Sequence, residues 1–145
     1  VEQLGEIAEA TESFTGLGFT KQLKETNDKQ SLAVTAVQLA ETLGAKGIVV
    51  ITRRGLMADY VTNCHPQKTR IFAFTNDSQT RRRLILNRNL TPYRTAFSSD
   101  PEKTLQTSFD VLKERAGLQS NDKVVVISDV LAGTGIEAIQ IRHLP

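Results

Sequence analysis

The sequence GIVVITRRG, from Gly47 to Gly55, decides the fold of this chain. Its first six residues form a short, continuous apolar run that is rich in β-branched side chains. Such a run predicts a strand that is buried on both faces, as strands of a parallel sheet are. The two arginines and the glycine that follow predict a turn at the end of this strand.

Four further segments, all of which follow this turn in the sequence, predict strands. Arg70–Thr75 and Lys123–Ser128 are continuous apolar runs of the same kind. Leu90–Thr95 is a weaker strand, and its Pro92 favours an edge or irregular position because proline cannot donate to a ladder. The alternation of apolar residues from Ile136 to Leu144 predicts a final strand, antiparallel and at a sheet edge.

Helical segments precede and separate these strands. They are predicted at 1–14, from a cap at Asp28 to Gly44, from Gly55 to Pro66, from Asn76 to Leu86, and from Asp100-Pro101 to Gly117. Strands that alternate with helices are joined by right-handed crossovers. The prediction is an α/β fold of three layers, α/β/α, with a mainly parallel five-stranded sheet and a final antiparallel edge strand.

Size and composition limit the classes of protein that fit. The 145 residues suit one domain, and the net charge of +2 is too small to predict a nucleic-acid partner. Cys64 is the only cysteine, so we expect no internal disulfide and a reducing compartment. Without a membrane-length apolar run or a signal sequence, we expect a soluble cytoplasmic protein with no membrane partner. Because the sequence begins with Val1 and not with an initiator methionine, we expect it to be a piece of a longer chain.

Thr52-Arg53-Arg54-Gly55 is the first candidate for a functional site. Ligands of parallel sheets bind beyond the carboxyl ends of strands, where a following helix presents free amides to an anion. A hydroxyl, two guanidinium groups and a glycine at this place are typical of a phosphate site. The alternative is a solvated turn with two surface arginines.

Gly133-Thr134-Gly135, after the third strong strand, is the second candidate. In a parallel sheet it lies at the same edge as Thr52, and its glycines permit binding of an anion by backbone amides. The alternative is a plain hairpin loop. The spacing matches neither a Walker loop nor a dinucleotide fingerprint.

Other reactive residues give no site. Arg81-Arg82-Arg83 point around a helix, which favours a solvated helix face over a binding patch. Neither His65 nor His143 has a Cys, Asp or Glu at the sequence spacing of a zinc site. Cys64 falls on an apolar stripe, where a packed thiol is expected. We therefore predict no catalytic residue and no metal site in this chain.

From about Asp28 to Leu144, the chain resembles the C-terminal domain of pyruvate kinase. The resemblance is carried by five motifs in the family's order and spacing. They are Thr52-Arg53-Arg54-Gly55 after its strand, Cys64-His65-Pro66, the stretch from Ile71 to Arg81 with Gln79-Thr80, the stretch from Asn87 to Pro92, and Asp122 to Ser128 followed by Gly133-Thr134-Gly135.

The resemblance implies a parent enzyme of glycolysis that transfers phosphoryl from phosphoenolpyruvate to ADP with Mg²⁺ and K⁺. Its catalytic residues belong to a β/α barrel, so the present chain alone is expected to be inactive and to need no cofactor. Residues 1–30 would lead out of that barrel, and residues 31–145 would form the C-terminal α/β domain. The barrel of the parent chain is thus an expected partner.

The resemblance also implies regulation and assembly. Family members bind a phosphorylated sugar or nucleotide effector. In this chain the residues expected to bind it are Thr52, Arg53, Arg54, Gly55, Gly133, Thr134 and Gly135. The sequence departs from the family where Arg54 and Met57 replace hydroxyl side chains. The family is tetrameric, and we expect the present chain to dimerise through its last strand. The alternative is an independent α/β protein of similar fold that binds a small molecule or nucleotide.

Overall fold

The structure is a computed structural model, described for residues 28–128 and 138–145. The helices are α1 (Asp28–Leu43), α2 (Leu56–Asn63), α3 (Ser78–Leu84) and α4 (Pro101–Arg115). The strands are β1 (Gly47–Ile51), β2 (Arg70–Thr75), β3 (Leu90–Arg94), β4 (Lys123–Ser128) and β5 (Ala138–His143). The strands form one sheet in the order β3-β2-β1-β4-β5, in which β4 and β5 are antiparallel and the other neighbours are parallel.

Both faces of the sheet are covered, which explains the continuous apolar runs. Ile48 and Val50 of β1 pack in a cluster with α1 and α2, while Val49 and Ile51 pack in a second cluster with α4. Successive side chains of a strand point to opposite faces, so a strand between two helical layers needs apolar residues at every position. The predicted three-layer fold, with its antiparallel edge strand, is confirmed.

The element boundaries follow local sequence signals, with small differences. Among the described strands, β3 pairs with β2 alone. This edge position suits Pro92, because proline has no amide hydrogen to donate to a second neighbouring strand. Asp28, the predicted cap, is the first residue of α1, and α3 ends at Leu84 rather than Leu86. The predicted helix at 1–14 lies outside the described residues. No helix in the described ranges is long and apolar enough to cross a membrane.

Candidate functional site

Strands β1 and β4, which precede the two candidate segments, end at the same side of the sheet. β1 is flanked by β2 and β4, and its last residue Ile51 is level with Phe74 and Ser128. The chain continues beyond that edge into Thr52, and Ser128, the last residue of β4, is paired with Ala138, the first residue of β5. The second candidate, Gly133, Thr134 and Gly135, lies outside the described residues.

The turn after β1 is held by hydrogen bonds to strand β2 and by a hydrogen bond within the turn. The amide of Thr52 donates to the carbonyl of Phe74 at 3.0 Å, and the hydroxyl of Thr75 donates to the carbonyl of Arg53 at 2.9 Å. The Thr52 hydroxyl oxygen accepts from the amide of Gly55 at 3.0 Å. Since Thr52 is only 1% exposed, its hydroxyl shapes the turn from inside.

Helix α2 begins directly after Gly55, which has a left-handed φ of 88°. The amide of Asp59 closes the first helical bond on the Gly55 carbonyl at 2.9 Å. The amides of 56–58 have no hydrogen-bond acceptor within residues 28–128 and 138–145. Free amides at a helix start carry a partial positive charge that favours a nearby anion.

Arg83 contacts the turn after β1, and the sequence analysis did not place it there. Its Nη2 donates to the Arg54 carbonyl at 2.9 Å, and its Nη1 lies 3.2 Å from both carboxylate oxygens of Asp59. The prediction that all three consecutive arginines form a solvated face is therefore incomplete. A signal was available, because Thr80 and Leu84 mark the buried side of α3 and Arg83 borders it.

A recess of about 460 Å³ opens beside the turn, lined by Arg53, Arg54, Asn76, Asp77 and Thr80. The Asp77 carboxylate caps α3 by accepting from the Thr80 amide at 2.9 Å and its hydroxyl at 2.8 Å. These hydrogen bonds hold the pKa of Asp77 below its usual range. The recess thus carries two guanidinium groups and one carboxylate that is already engaged.

Not every residue of the predicted motif is available to a ligand. Arg54 is exposed, and the Arg53 guanidinium lies 5.6 Å from the centre of the Phe97 ring. Met57 is fully buried and packs in the core cluster beneath α2. The edge can therefore hold an anion through Arg54 and the α2 amides, while position 57 offers it no side chain.

The described residues contain no grouping suited to catalysis or metal binding. Within residues 28–128 and 138–145, no three His, Cys, Asp or Glu side chains gather as metal ligands. Burial raises the pKa of the Cys64 thiol to about 11, so that it stays protonated at neutral pH. A protonated thiol is a poor nucleophile.

Three comparisons with known proteins agree. Residues 30–140 match the family described as pyruvate kinase, alpha/beta domain. The chloroplastic pyruvate kinase isozymes A of Ricinus communis and Nicotiana tabacum are 35% and 34% identical over 116 residues, which is 80% of this chain. That stretch is 19% and 18% of those relatives, so the chain spans about a fifth of their length.

A solved structure gives the same fold. The pyruvate kinase of Cryptosporidium parvum, determined in complex with ADP, aligns with a TM-score of 0.74 and 21% identity. The alignment covers 83% of this chain and 24% of that one. The similarity therefore concerns one domain of a much longer protein.

Proposed function

The chain belongs to the pyruvate kinase family, and on that premise we propose that it is the C-terminal regulatory and assembly domain of a pyruvate kinase. The observation that carries the proposal is the match of residues 30–140 to the family's α/β domain. The parent enzyme would transfer phosphoryl from phosphoenolpyruvate to ADP, as a step of glycolysis. An independent small-molecule or nucleotide-binding protein of similar fold is the alternative.

The chemistry of the parent would reside in its barrel. We expect this chain alone to transfer no phosphoryl group from phosphoenolpyruvate to ADP, because the family resemblance assigns the catalytic residues to the barrel. Mg²⁺ and K⁺ would be bound by the barrel. A coupled assay of pyruvate release tests this, and metal-dependent turnover by the isolated chain would contradict it.

The regulatory role rests on the carboxyl edge of the sheet. The exposed Arg54 offers paired donors that suit a phosphate, and the free amides of α2 add a partial positive charge. The ligand would be a sugar bisphosphate, a sugar monophosphate or AMP. The sequence predicts that Gly133, Thr134 and Gly135 belong to the same site, where their backbone amides would also bind the anion.

A thermal-shift screen of sugar phosphates and nucleotides tests the site. A ligand at roughly 100 times its Kd stabilises the native state by about 2.7 kcal/mol, which raises the melting temperature measurably. Arg54→Ala should abolish the rise in melting temperature. Lys68→Ala, which removes a cation near the amino ends of the parallel strands, should leave the rise unchanged. An unchanged rise in Arg54→Ala would exclude this site.

The assembly role rests on β5, the outermost strand of the described sheet. Among the described strands it pairs with β4 alone, and its Ile141 is 49% exposed. A second copy could pair with the other side of β5, giving a dimer of this chain and contributing to a tetramer of the parent. Light scattering should give the dimer mass, and Ile141→Lys should shift it towards the monomer. A monomer at high concentration would contradict the proposal.

The cellular compartment stays a prediction. A single cysteine, which leaves no internal disulfide, suits the cytoplasm, whereas the names of the Ricinus and Nicotiana relatives place those proteins in chloroplasts. A fluorescent fusion of the complete parent protein distinguishes the two compartments. Plastid fluorescence would replace the cytoplasmic prediction without affecting the assignment to the family.

A further inference from the structure

The Arg54–Gly55 peptide is fixed from both sides. Its carbonyl accepts from Arg83 Nη2 at 2.9 Å, and its amide donates to the Thr52 hydroxyl oxygen at 3.0 Å. The carbonyl and amide of a trans peptide point in opposite directions within one plane, so these two bonds fix the orientation of that plane. Arg83 is thus the residue of α3 that hydrogen-bonds to the turn and helps to fix it.

The space that Arg83 occupies depends on Gly55. A Cβ atom at position 55 would overlap Arg83 Nη2 and lie 3.2 Å from a methyl group of Thr80. Gly55 therefore has two roles: it adopts the left-handed φ of 88°, and its missing Cβ leaves space for the guanidinium group of Arg83. The turn and the arginine fit together as one unit.

Asp59 gives Arg83 a second role. Its carboxylate stands in the first turn of α2, close to the free amides, where an unpaired negative charge would repel an incoming anion. Arg83 Nη1 lies 3.2 Å from both of its oxygens, and Asn87 Nδ2 donates to one of them at 2.9 Å. The guanidinium group therefore offsets the charge of Asp59 and holds the carboxylate beside α3.

We propose that Arg83 is the positioning residue of the anion site, fixing the Arg54–Gly55 peptide and offsetting the charge of Asp59. The inference rests on the proposed regulatory function and deepens it. It concerns how the site is kept ready for a phosphate group. Arg83 itself need not touch the ligand.

The alternative is that Arg83 only adds stability. The side chains of the Arg83–Asp59 pair are 48% and 32% exposed, so the pair is solvated and contributes little to the free energy of unfolding. A positioning role predicts a different balance, in which the loss of Arg83 changes ligand affinity more than it changes the melting temperature.

The test uses inorganic phosphate as the probe and the amide resonances of residues 54–59 in the complete chain as the readout. Arg83→Gln should weaken phosphate binding about tenfold, the effect of losing one charge-assisted interaction. Arg82→Gln is the matched control, because it removes the same charge from α3 without touching the turn, and it should bind like the wild type. Phosphate binding by Arg83→Gln at wild-type affinity would overturn the proposal.

A second pair of variants separates charge from geometry. Asp59→Asn combined with Arg83→Gln restores the charge balance but not the hydrogen bond to the Arg54 carbonyl, so only part of the affinity should return. Arg83→Lys keeps the charge and loses the two-armed geometry, and it should fall between the wild type and Arg83→Gln. Full recovery in the double variant would overturn the geometric role.

Hydrogen exchange distinguishes failure of this inference from failure of the proposed function. The Gly55 amide should exchange faster in Arg83→Gln than in the wild type or Arg82→Gln, with or without phosphate. If the wild-type amides do not respond to phosphate, the regulatory function is wrong, and the exchange rate still decides whether Arg83 fixes the turn. Equal exchange in all three proteins would refute that.

Discussion

The two ends of β1 are both basic, yet they are built differently. At the carboxyl end, Arg53 and Arg54 follow the strand in a turn that is held by hydrogen bonds within the turn, from β2 and from α3. At the amino end, Lys46, Lys68 and Arg70 line a second recess of about 320 Å³, in which Asp122 supplies the carboxylate. By charge alone, the amino end is the better place for an anion.

Hydrogen bonding reverses that ranking. The amino end faces the last turn of α4, and Arg70 there donates to the Ala116 carbonyl at 3.3 Å and lies 4.7 Å from the centre of the Phe72 ring. This cation satisfies the negative end of a helix, whereas the carboxyl end offers the positive start of α2. Backbone direction therefore decides which of the two basic ends of β1 suits an anion.

The largest effect is expected from Gly55→Ala at the carboxyl end. Alanine in a left-handed conformation costs about 1–2 kcal/mol, and displacement of Arg83 adds roughly 1 kcal/mol more. We expect a loss of about 2–3 kcal/mol in the free energy of unfolding, measured by urea denaturation, together with loss of phosphate binding.

Gly117→Ala provides the control for this measurement. Gly117 has a φ of 80°, but a Cβ atom added there would meet no other atom within 4 Å. Its substitution should therefore cost only the conformational contribution, about 1–2 kcal/mol. Equal losses for the two glycines would mean that Arg83 does not occupy the space beside Gly55.

The next effect is expected at the amino end, from Gly47→Ala. A Cβ atom there would lie 2.5 Å from a ring carbon of Phe72, which is fully buried. Overpacking of a core costs typically about 1–3 kcal/mol, so we expect about 2 kcal/mol in urea denaturation. Phosphate binding should be retained, and its loss would show that the two ends of β1 are coupled.

The sheet could be predicted from sequence because its strands are buried on both faces. Continuous apolar runs such as Gly47–Ile51 admit few other structures when helices with clear caps separate them. The place of Thr52, Arg54 and Gly55 in a turn at the carboxyl end of β1 could also be predicted, because polar residues and a glycine follow the apolar run. That this turn binds an anion stays a prediction.

The role of Arg83 could not be predicted in the same way. Its contacts with Arg54 and Asp59 link residues 29 and 24 positions apart, and they depend on how α3 is rotated against α2. Sequence periodicity gives the buried face of a helix but not the neighbour that a side chain on its border will meet. The burial of Met57, by contrast, could be predicted, because Met57 shares helical spacing with Val61 and Cys64 on the apolar stripe of its helix.

A smaller effect is expected from Arg70→Ala at the amino end. The cation–π contact with Phe72 and the hydrogen bond to Ala116 are partly solvated, and together they should contribute about 0.5–1 kcal/mol. Urea denaturation should detect this loss, and phosphate affinity should stay unchanged. Weaker phosphate binding in this variant would place the anion site at the wrong end of β1.

The smallest effect is expected in the pH dependence of Asp77, beside the carboxyl-end recess. The Thr80 hydroxyl and amide lower its pKa in the folded protein, so the carboxylate stabilises the fold above its unfolded pKa of about 3.9, and this contribution is lost as pH falls through the lower folded value. Asn at position 77 can still cap α3 but does not titrate. Between about pH 5 and pH 2, the wild type should therefore lose slightly more stability than Asp77→Asn in urea denaturation. If stability falls with pH in parallel in the two proteins, the Asp77–Thr80 hydrogen bonds do not lower the pKa of Asp77. The start of α3, which forms the side of the recess next to Arg54, would then be less ordered than the turn that Arg83 holds.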